Sequence, residues 1–494
     1  MRLKPHNLNY YMKNQLPPVW ISCLPLLVLV ALISVAVSLF GDNALNGASQ
    51  LVLLLSSSVC VMLGLSIKSM TFRDFEKTLT EKIASVSIAL VILLLIGALS
   101  GTWMVSGIVP TLIYYGMYIL QPAWFLVSAC VICAVVSLMV GSSWTTVATI
   151  GIALMGIGQA LGFSIGWTAG AIISGAYFGD KMSPLSDTTV MASSTVGVPL
   201  FTHIRYMMGT TWPTFTITLV VFLLVGIVKG AEGESDVAAV SNGLRNTFCI
   251  SPWLLIVPVA TGYMIYKKLP SVAILFLSVI MACVAALIAQ QDRLLEIAGT
   301  GNASVKSTVI GLLTMMYGET NIDTGDEMLN SLVSTSGMAG MISTIWLIVC
   351  AMIFGASMTA SKMLDSIVFS MLRRPKNAVA MVGSTAVMGI FLNLIMCDQY
   401  LSIIIASSMY KDAYLDNGYE PKLLSRTIED SATVTSPIIP WTTCGMTQAN
   451  VLGVSTLTYA PYCIFNYLSP VVTVLMALRV KKSKYSSLLN SPII

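Results

Sequence analysis

The chain has 494 residues, of which 56% are hydrophobic and only 10% charged, against about 25% charged in a soluble domain. That balance excludes a soluble globular protein, and apolar runs that do not alternate exclude an outer-membrane barrel. The net charge of +4 calls for no nucleic-acid partner, because a basic surplus in a membrane protein reflects its cytoplasmic loops.

Apolar runs long enough, or nearly so, to cross a ~30 Å hydrocarbon layer as helices recur along the whole length. The first, Trp20–Phe40, follows a tail with Arg2, Lys4 and Lys13 and no acid, and carries no small-residue cleavage site. It reads as a first span with a cytoplasmic N-terminus, not a removable signal peptide. Ile83–Leu99, Phe215–Val228, Val272–Ala289 and Ile342–Met358 are further examples. The polar stretches Lys229–Asn246, Asp292–Val305, Glu319–Thr335 and Lys411–Arg426 read as loops. The expected fold is an all-α polytopic membrane protein with about 11–13 transmembrane segments. Cys130 and Cys133 form a CxxC inside an apolar run, but no second pair or nearby histidine completes a metal site.

Pro184 of "MSPLS" and Pro437 of "TSPIIPW" stand 253 residues apart. The same shift lays Trp20–Phe40 on 273–293 and "VGSSWTT" (140–146) on "NLIMCDQ" (393–399). Loop charges then swap sides. Segment 68–82 holds Lys68, Arg73, Lys77 and Lys82, whereas 321–335 has no Lys or Arg. Segment 108–123 has none, whereas 361–376 holds Lys362, Arg373, Arg374 and Lys376. The C-terminal tail holds Arg479, Lys481, Lys482 and Lys484, whereas 226–241 sets Lys229 against Glu232, Glu234 and Asp236. Positive loops lie inside, so the halves are predicted to run in opposite orientations, as in many secondary transporters. The predicted organisation is a first inverted-repeat half at 1–240, a linker with an extra apolar segment at 241–270, and a second half at 271–494, both termini cytoplasmic. The extra run, Ser251–Tyr266 before Lys267 and Lys268, gives the second half the wrong parity if it crosses fully. It is either re-entrant or neighboured by a run that does not cross.

Four interruptions of the apolar pattern carry polar groups. "GDKMSPLSDTT" has Gly179 and Pro184 to break a helix, Asp180 and Asp187 as carboxylates, and Ser183, Ser186, Thr188 and Thr189 as neutral oxygens. "GSSWTT" (141–146) has no charge but four hydroxyls, among them Ser142, Ser143 and Thr145 around Trp144. "MCDQY" (396–400) puts Asp398 and Tyr400 in an apolar stretch. "IEDSATVTSPIIPWTTCG" (428–445) combines Glu429, Asp430, Thr433, Ser436, Trp441 and Thr442 with two prolines. A charge in the bilayer persists where it faces a cavity or partner, and a broken helix exposes carbonyls and aims half-helix dipoles at an ion. Hard cations want oxygen shells. Asp180, Asp187 and Asp430 are the expected Na+ ligands. Ser142, Ser143, Trp144, Thr145, Tyr400, Thr433, Trp441 and Thr442 are the expected pocket for anything larger. All four breaks are expected to converge near the midplane.

Gly158, Gly162, Gly166 and Gly170 recur every four residues and predict one smooth helical stripe for close backbone approach. Lys181 is expected to pair with its neighbour Asp180. His203, beside Arg205, reads as a cytoplasmic-edge residue rather than a proton relay.

"GDKMSPLSDTT" with "LFTHIRYM", "DQYLS" and "LSRTIEDSATVTSPIIPWTTCG" resembles the NhaC family of sodium/proton antiporters, part of the ion-transporter superfamily of inverted-repeat carriers. The likeness runs through "GVSTLTYAPYCIFNYLSP" at 453–470. It implies secondary active transport across the bacterial cytoplasmic membrane, with Na+ and H+ as the transported or coupling ions and no cofactor. It places the family's polar residues on Asp180, Ser183, Asp187, Thr188, Asp398, Glu429, Asp430 and Ser436. Where this chain has Val190 after "SDTT" and Thr442 after Trp441, the family pattern has Asn, and near Pro199 it has an acid. Each change removes a polar group beside the site. Two readings stay open: Na+/H+ exchange on shared carboxylates, or Na+- or H+-coupled carriage of a small carboxylate (malate- or lactate-like) or an amino acid. An intramembrane enzyme is not expected, since the chain has no HExxH and no nucleophile–histidine pair in its core.

Overall fold

A computed structural model describes residues 16–40, 47–229, 237–267, 269–299, 304–325, 329–330, 333–371 and 377–480. The described residues are almost wholly helical and contain no strand, only an isolated bridge between Thr320 and Thr335. In chain order the first half of the sequence gives α1 (Val19–Phe40), α2 (Ala48–Ser66), α3 (Phe72–Val105), α4 (Ile108–Ile119) and α5 (Pro122–Val140). Next come α6 (143–160, with a π-helical turn at Val147–Gly151), α7 (Ile165–Met182), α8 (Asp187–Val196) and α9 (Leu200–Lys229). Then follow α10 (Val237–Thr247), α11 (Pro252–Tyr266), α12 (Ser271–Ala289), α13 (Gln291–Ile297), α14 (Val305–Tyr317), α15 (Gly337–Ala360) and α16 (Met363–Met371). The chain ends with α17 (Ala378–Met396), α18 (Gln399–Asp416), α19 (Pro421–Ile428), α20 (Thr443–Leu452), α21 (Thr456–Tyr462) and α22 (Ile464–Arg479).

Among the described residues, eight helices are long and apolar enough to cross a membrane, or ten if each of two bent pairs is one span. That is fewer than the sequence suggests, because the polar breaks cut crossing segments into pieces that fall short alone. The extra run sits in one bent pair: α11 turns by 90° from α10. The stretch Lys411–Arg426 is not a loop. Its first residues finish α18, and Leu423 to Arg426 are buried in α19. The charges expected in loops at Arg2, Lys4, Lys13, Glu232, Glu234, Asp236, Lys268, Arg373, Arg374, Lys376, Lys481, Lys482 and Lys484 lie outside the described residues.

Helix ends follow local chemistry. Thr71 and Asp74 form a reciprocal capping box at the start of α3, with Asp74 Oδ2 accepting from Thr71 N at 2.9 Å. Left-handed turns close several helices and recur in order: Gly141 with Cys397, Gly162 with Gly418, and Gly197 with Gly453, each pair 256 residues apart. The expected glycine stripe breaks at Gly162, whose φ of 77° ends the helix. Gly166 and Gly170 instead meet Tyr462.

The tightest helix contact is α5 on α7. A Cβ at Gly175 would strike the Cys130 carbonyl, one at Gly179 would strike the Ala134 carbonyl, and Ser137 Oγ donates to Ala176 O at 2.6 Å. Small residues permit this approach. Gly175→Val forces the two backbones apart, and overpacking of this kind costs about 1–3 kcal/mol. The expected result is a lower melting temperature in detergent and less monodisperse protein on size exclusion, whereas Gly209→Ala, where an added Cβ meets nothing, melts like the parent.

Candidate functional site

Four helix breaks build the site. At the first, α5 ends at Gly141, and Ser142 caps α6 by accepting from Thr145 N at 3.3 Å. At the second, α7 stops after Met182 and α8 starts at Asp187. Ser183 and Ser186 between them are extended, and Ser183 Oγ takes the Leu185 N–H at 3.2 Å. At the third, α17 closes on Cys397, a non-glycine residue at φ 57°. Such a residue costs roughly 1–2 kcal/mol and turns Asp398 to cap α18, its Oδ1 accepting from Leu401 N at 3.0 Å. At the fourth, α19 runs into a π-turn, Glu429–Thr433, then a 3-10 turn, Ser436–Ile438. Pro437 lacks the N–H that would continue the helix. Thr442 restarts it as the cap of α20, accepting from Gly445 N at 3.0 Å.

The breaks meet. Asp180 Oδ2 accepts from Ser143 N at 3.1 Å and Ser143 Oγ at 2.7 Å, so the end of α7 closes the start of α6. Thr443 binds the third break twice, through N to Cys397 O at 2.8 Å and Oγ1 to Asp398 Oδ2 at 3.2 Å. Asn393 donates to Ala432 O at 2.6 Å, and Trp441 Nε1 to Leu394 O at 3.0 Å. Across the two pairs, Thr188 Oγ1 donates to Glu429 Oε1 at 3.1 Å, and Lys181 forms an ion pair with Asp430.

A cavity of about 880 Å³ opens onto this meeting point. Asp180, Asp187 and Asp398 line it, with Ser142, Ser143, Trp144, Thr145, Ser186, Thr188 and Tyr400; among the described residues no Lys, Arg or His does. Asp180 and Asp398 are 5% and 3% exposed, so neither sits in a surface loop. Asp187 and Asp398 stand at the starts of α8 and α18, and Asp180, in the last turn of α7, reaches its carboxylate to the start of α6, so each carboxylate meets a helix N-terminus, where backbone N–H groups favour negative charge. Buried polar atoms without partners face the same region: Trp144 Nε1 and Gln399 Oε1. Oxygen-rich, anionic and half-dry, the cavity suits a cation.

Other expected residues lie behind the wall. Glu429 is fully buried and reaches the cavity only through Thr188, its Oε2 unpartnered. Thr433 and Ser436 are buried beside Glu429 and Cys444, Ser183 and Thr442 serve the local turns, and Trp441 ties the fourth break to α17. Asp430 has both oxygens engaged: Oδ1 by Lys181 and by Ser469 Oγ at 3.2 Å, Oδ2 by Thr210 Oγ1 at 2.9 Å with Arg426 Nε 3.9 Å away. Lys181 thus pairs with Asp430 and not with Asp180. His203 is fully buried among protein atoms, its Nδ1 2.9 Å from Ser425 Oγ.

Sequence reasoning missed Thr210, Ser469 and Lys82. Thr210 and Ser469 sit in apolar helices near Pro213 and Pro470, with no carboxylate beside them to mark a site. Lys82 counted as loop charge, yet it is 6% exposed inside α3. Cys130 and Cys133 are buried free thiols in α5, and among the described residues no cluster of three or more His, Cys, Asp and Glu forms a compact metal site around them or elsewhere, so any Na+ in the cavity is held by a carboxylate with neutral oxygens.

Buried carboxylates at helix breaks, gathered on one cavity inside a bundle of apolar helices, define an ion-coupled membrane carrier. The model of the Na+/H+ antiporter family matches residues 18–195 and 175–479. The chain belongs to that family and is a secondary active antiporter, a multi-pass protein of the cell membrane. It is 35% identical over 420 residues to the Na+/H+ antiporter NhaC of Alkalihalophilus pseudofirmus, covering 85% of this chain and 88% of that protein. It is 33% identical to the malate-2H+/Na+-lactate antiporter of Bacillus subtilis, over 85% of this chain and 87% of the other. It is 34% identical to the arginine/ornithine antiporter ArcD of Halobacterium salinarum, over 78% of each.

Proposed function

We propose that this antiporter exchanges Na+ for H+ at Asp180, Asp187 and Asp398, in a cavity between two halves of inverted topology, 1–240 and 271–494. The observation that carries the reading is the trio of carboxylates on one cavity, Asp180 and Asp398 buried and Asp187 exposed at its edge, each meeting the N-terminus of a helix. The turns recurring at 256 residues support the two halves. Asp430, predicted from sequence as a Na+ ligand, is assigned here to holding Lys181. Ser142, Ser143, Thr145 and Thr188 supply neutral oxygens. A proton or a Na+ neutralises the carboxylates, and the bare acids are held back from crossing by their desolvation cost.

Sharing has a measurable consequence. Two ligands that exclude each other are linked, so apparent Na+ affinity falls as pH drops, approaching about tenfold per pH unit for one shared proton. Na+ binding by scintillation proximity from pH 5.5 to 8.5 tests this. A flat affinity sinks shared-site exchange.

The size of the cavity favours a second reading, since Na+ needs far less than 880 Å³. Trp144 and Tyr400 on its wall suit an organic solute coupled to Na+ or H+. The three acids on the cavity favour an amino acid, whose ammonium meets the carboxylates, over a dicarboxylate such as malate. Uptake of labelled amino acids, malate and lactate into proteoliposomes, with and without a Na+ gradient, separates the readings.

A further inference from the structure

Lys82 lies beside the cavity, one turn beyond its lining. On α3, Ser85, Ala89 and Ile92 line the cavity, and Lys82 precedes Ser85 by one turn on the same face. Its side chain is buried, and its terminal methylene is 3.8 Å from where a Cβ on Gly355 would stand. That same point is 3.4 Å from Met396 O and 3.8 Å from Ile395 O, the last carbonyls of α17 before Cys397 and Asp398. Lys82 lies within charge–charge range of Asp398, beyond salt-bridge distance. The other buried lysine, Lys181, is held by Asp430 and Ser469. Lys82 makes no salt bridge among the described residues. It is a buried cation with no committed anion, one turn from a cavity that holds three acids.

The plain structural role is a lysine near a helix C-terminus, favourable to the carbonyls of α17. That role does not require the side chain to lie on the cavity face, nor beside the break that presents Asp398. We infer that Lys82 is a tethered cation that competes with Na+ for Asp398 and so sets how tightly the empty site takes up the ion. The inference rests on the Na+ reading above. An ammonium on a four-carbon stem can approach or leave a carboxylate without moving a helix. With Na+ absent it lowers the cost of a bare Asp398. With Na+ arriving it must be displaced or repels the ion. Affinity is thereby held down, which favours release on the far side.

The experiment is 22Na+ binding to the purified full-length protein, wild type against Lys82→Gln, Lys82→Arg, Asp398→Asn and the double variant Lys82→Gln/Asp398→Asn. Removing the charge is expected to tighten apparent Na+ affinity at least about tenfold, since a unit charge several ångströms away at an effective dielectric of about 20 is worth more than a tenfold change. Arg is expected to restore the parent affinity. In the Asp398→Asn background Lys82→Gln is expected to change nothing, because the cycle isolates their mutual interaction. A helix-end role alone would lower the melting temperature equally in both backgrounds and leave affinity untouched, which overturns the inference. So does a Lys82→Gln effect of equal size with and without Asp398. If Lys82→Gln does not fold, Lys82→Met keeps the stem packed and is read in the same way; failure of both assigns Lys82 to packing and also overturns it. A wild type that binds no Na+ removes the Na+ reading itself, whereas binding that ignores Lys82 removes only this inference.

Discussion

Asp187→Asn and Asp398→Asn are each expected to abolish Na+-dependent transport in proteoliposomes while leaving folded protein in the membrane. Asn is nearly isosteric with Asp and caps a helix about as well, so the Asp398 turn onto Leu401 N survives the change. Asp187 begins α8 at the cavity edge and makes no hydrogen bond that Asn would break. What is lost is the charge. Removing one partner of a close charge pair costs about 2–5 kcal/mol, which weakens Na+ binding at least about thirtyfold. The readout is a split result: a melting temperature close to wild type with no Na+-driven flux. Full Na+-dependent transport in both variants would remove these residues from the ion path.

Asp430→Asn has the opposite signature. Its carboxylate is fully buried against Lys181, Ser469 and Thr210, with Arg426 close by. Taking away one partner of a buried pair strands the other, at a cost of about 3–5 kcal/mol. The expected result is a large fall in melting temperature and in yield of folded protein, with loss of transport following from loss of fold. Lys181→Met/Asp430→Asn removes the stranded ammonium and should recover much of that stability. Normal folding of Asp430→Asn with transport abolished would return Asp430 to the ion path.

These outcomes differ although Asp187 and Asp430 look alike in the sequence. Both are acids in hydroxyl-rich breaks beside a proline. One ends on a cavity and the other inside a packed wall, because α8 and the π-turn after α19 present their faces to different neighbours. Neither burial nor partner can be read from the residues on either side.

The sequence by itself determined the membrane class, since so many apolar runs can be buried only in lipid or in each other. It also determined where helices break. Gly, Pro, Ser and Asp act on the backbone within a turn or two, and the breaks at Gly141, Ser183, Asp398 and Pro437 follow from that local chemistry. It placed the acids that line the cavity. It did not reveal the left-handed Cys397, because a non-glycine residue takes that conformation only when packing holds it there. Nor did it reveal that Lys181 reaches Asp430, that His203 is buried, or that Lys82 lies inside α3 rather than in a loop. Those are choices of partner between segments far apart in the chain, made when helices pack. A charge is buried only where a neighbour compensates it, and the neighbour exists only once the tertiary structure has formed.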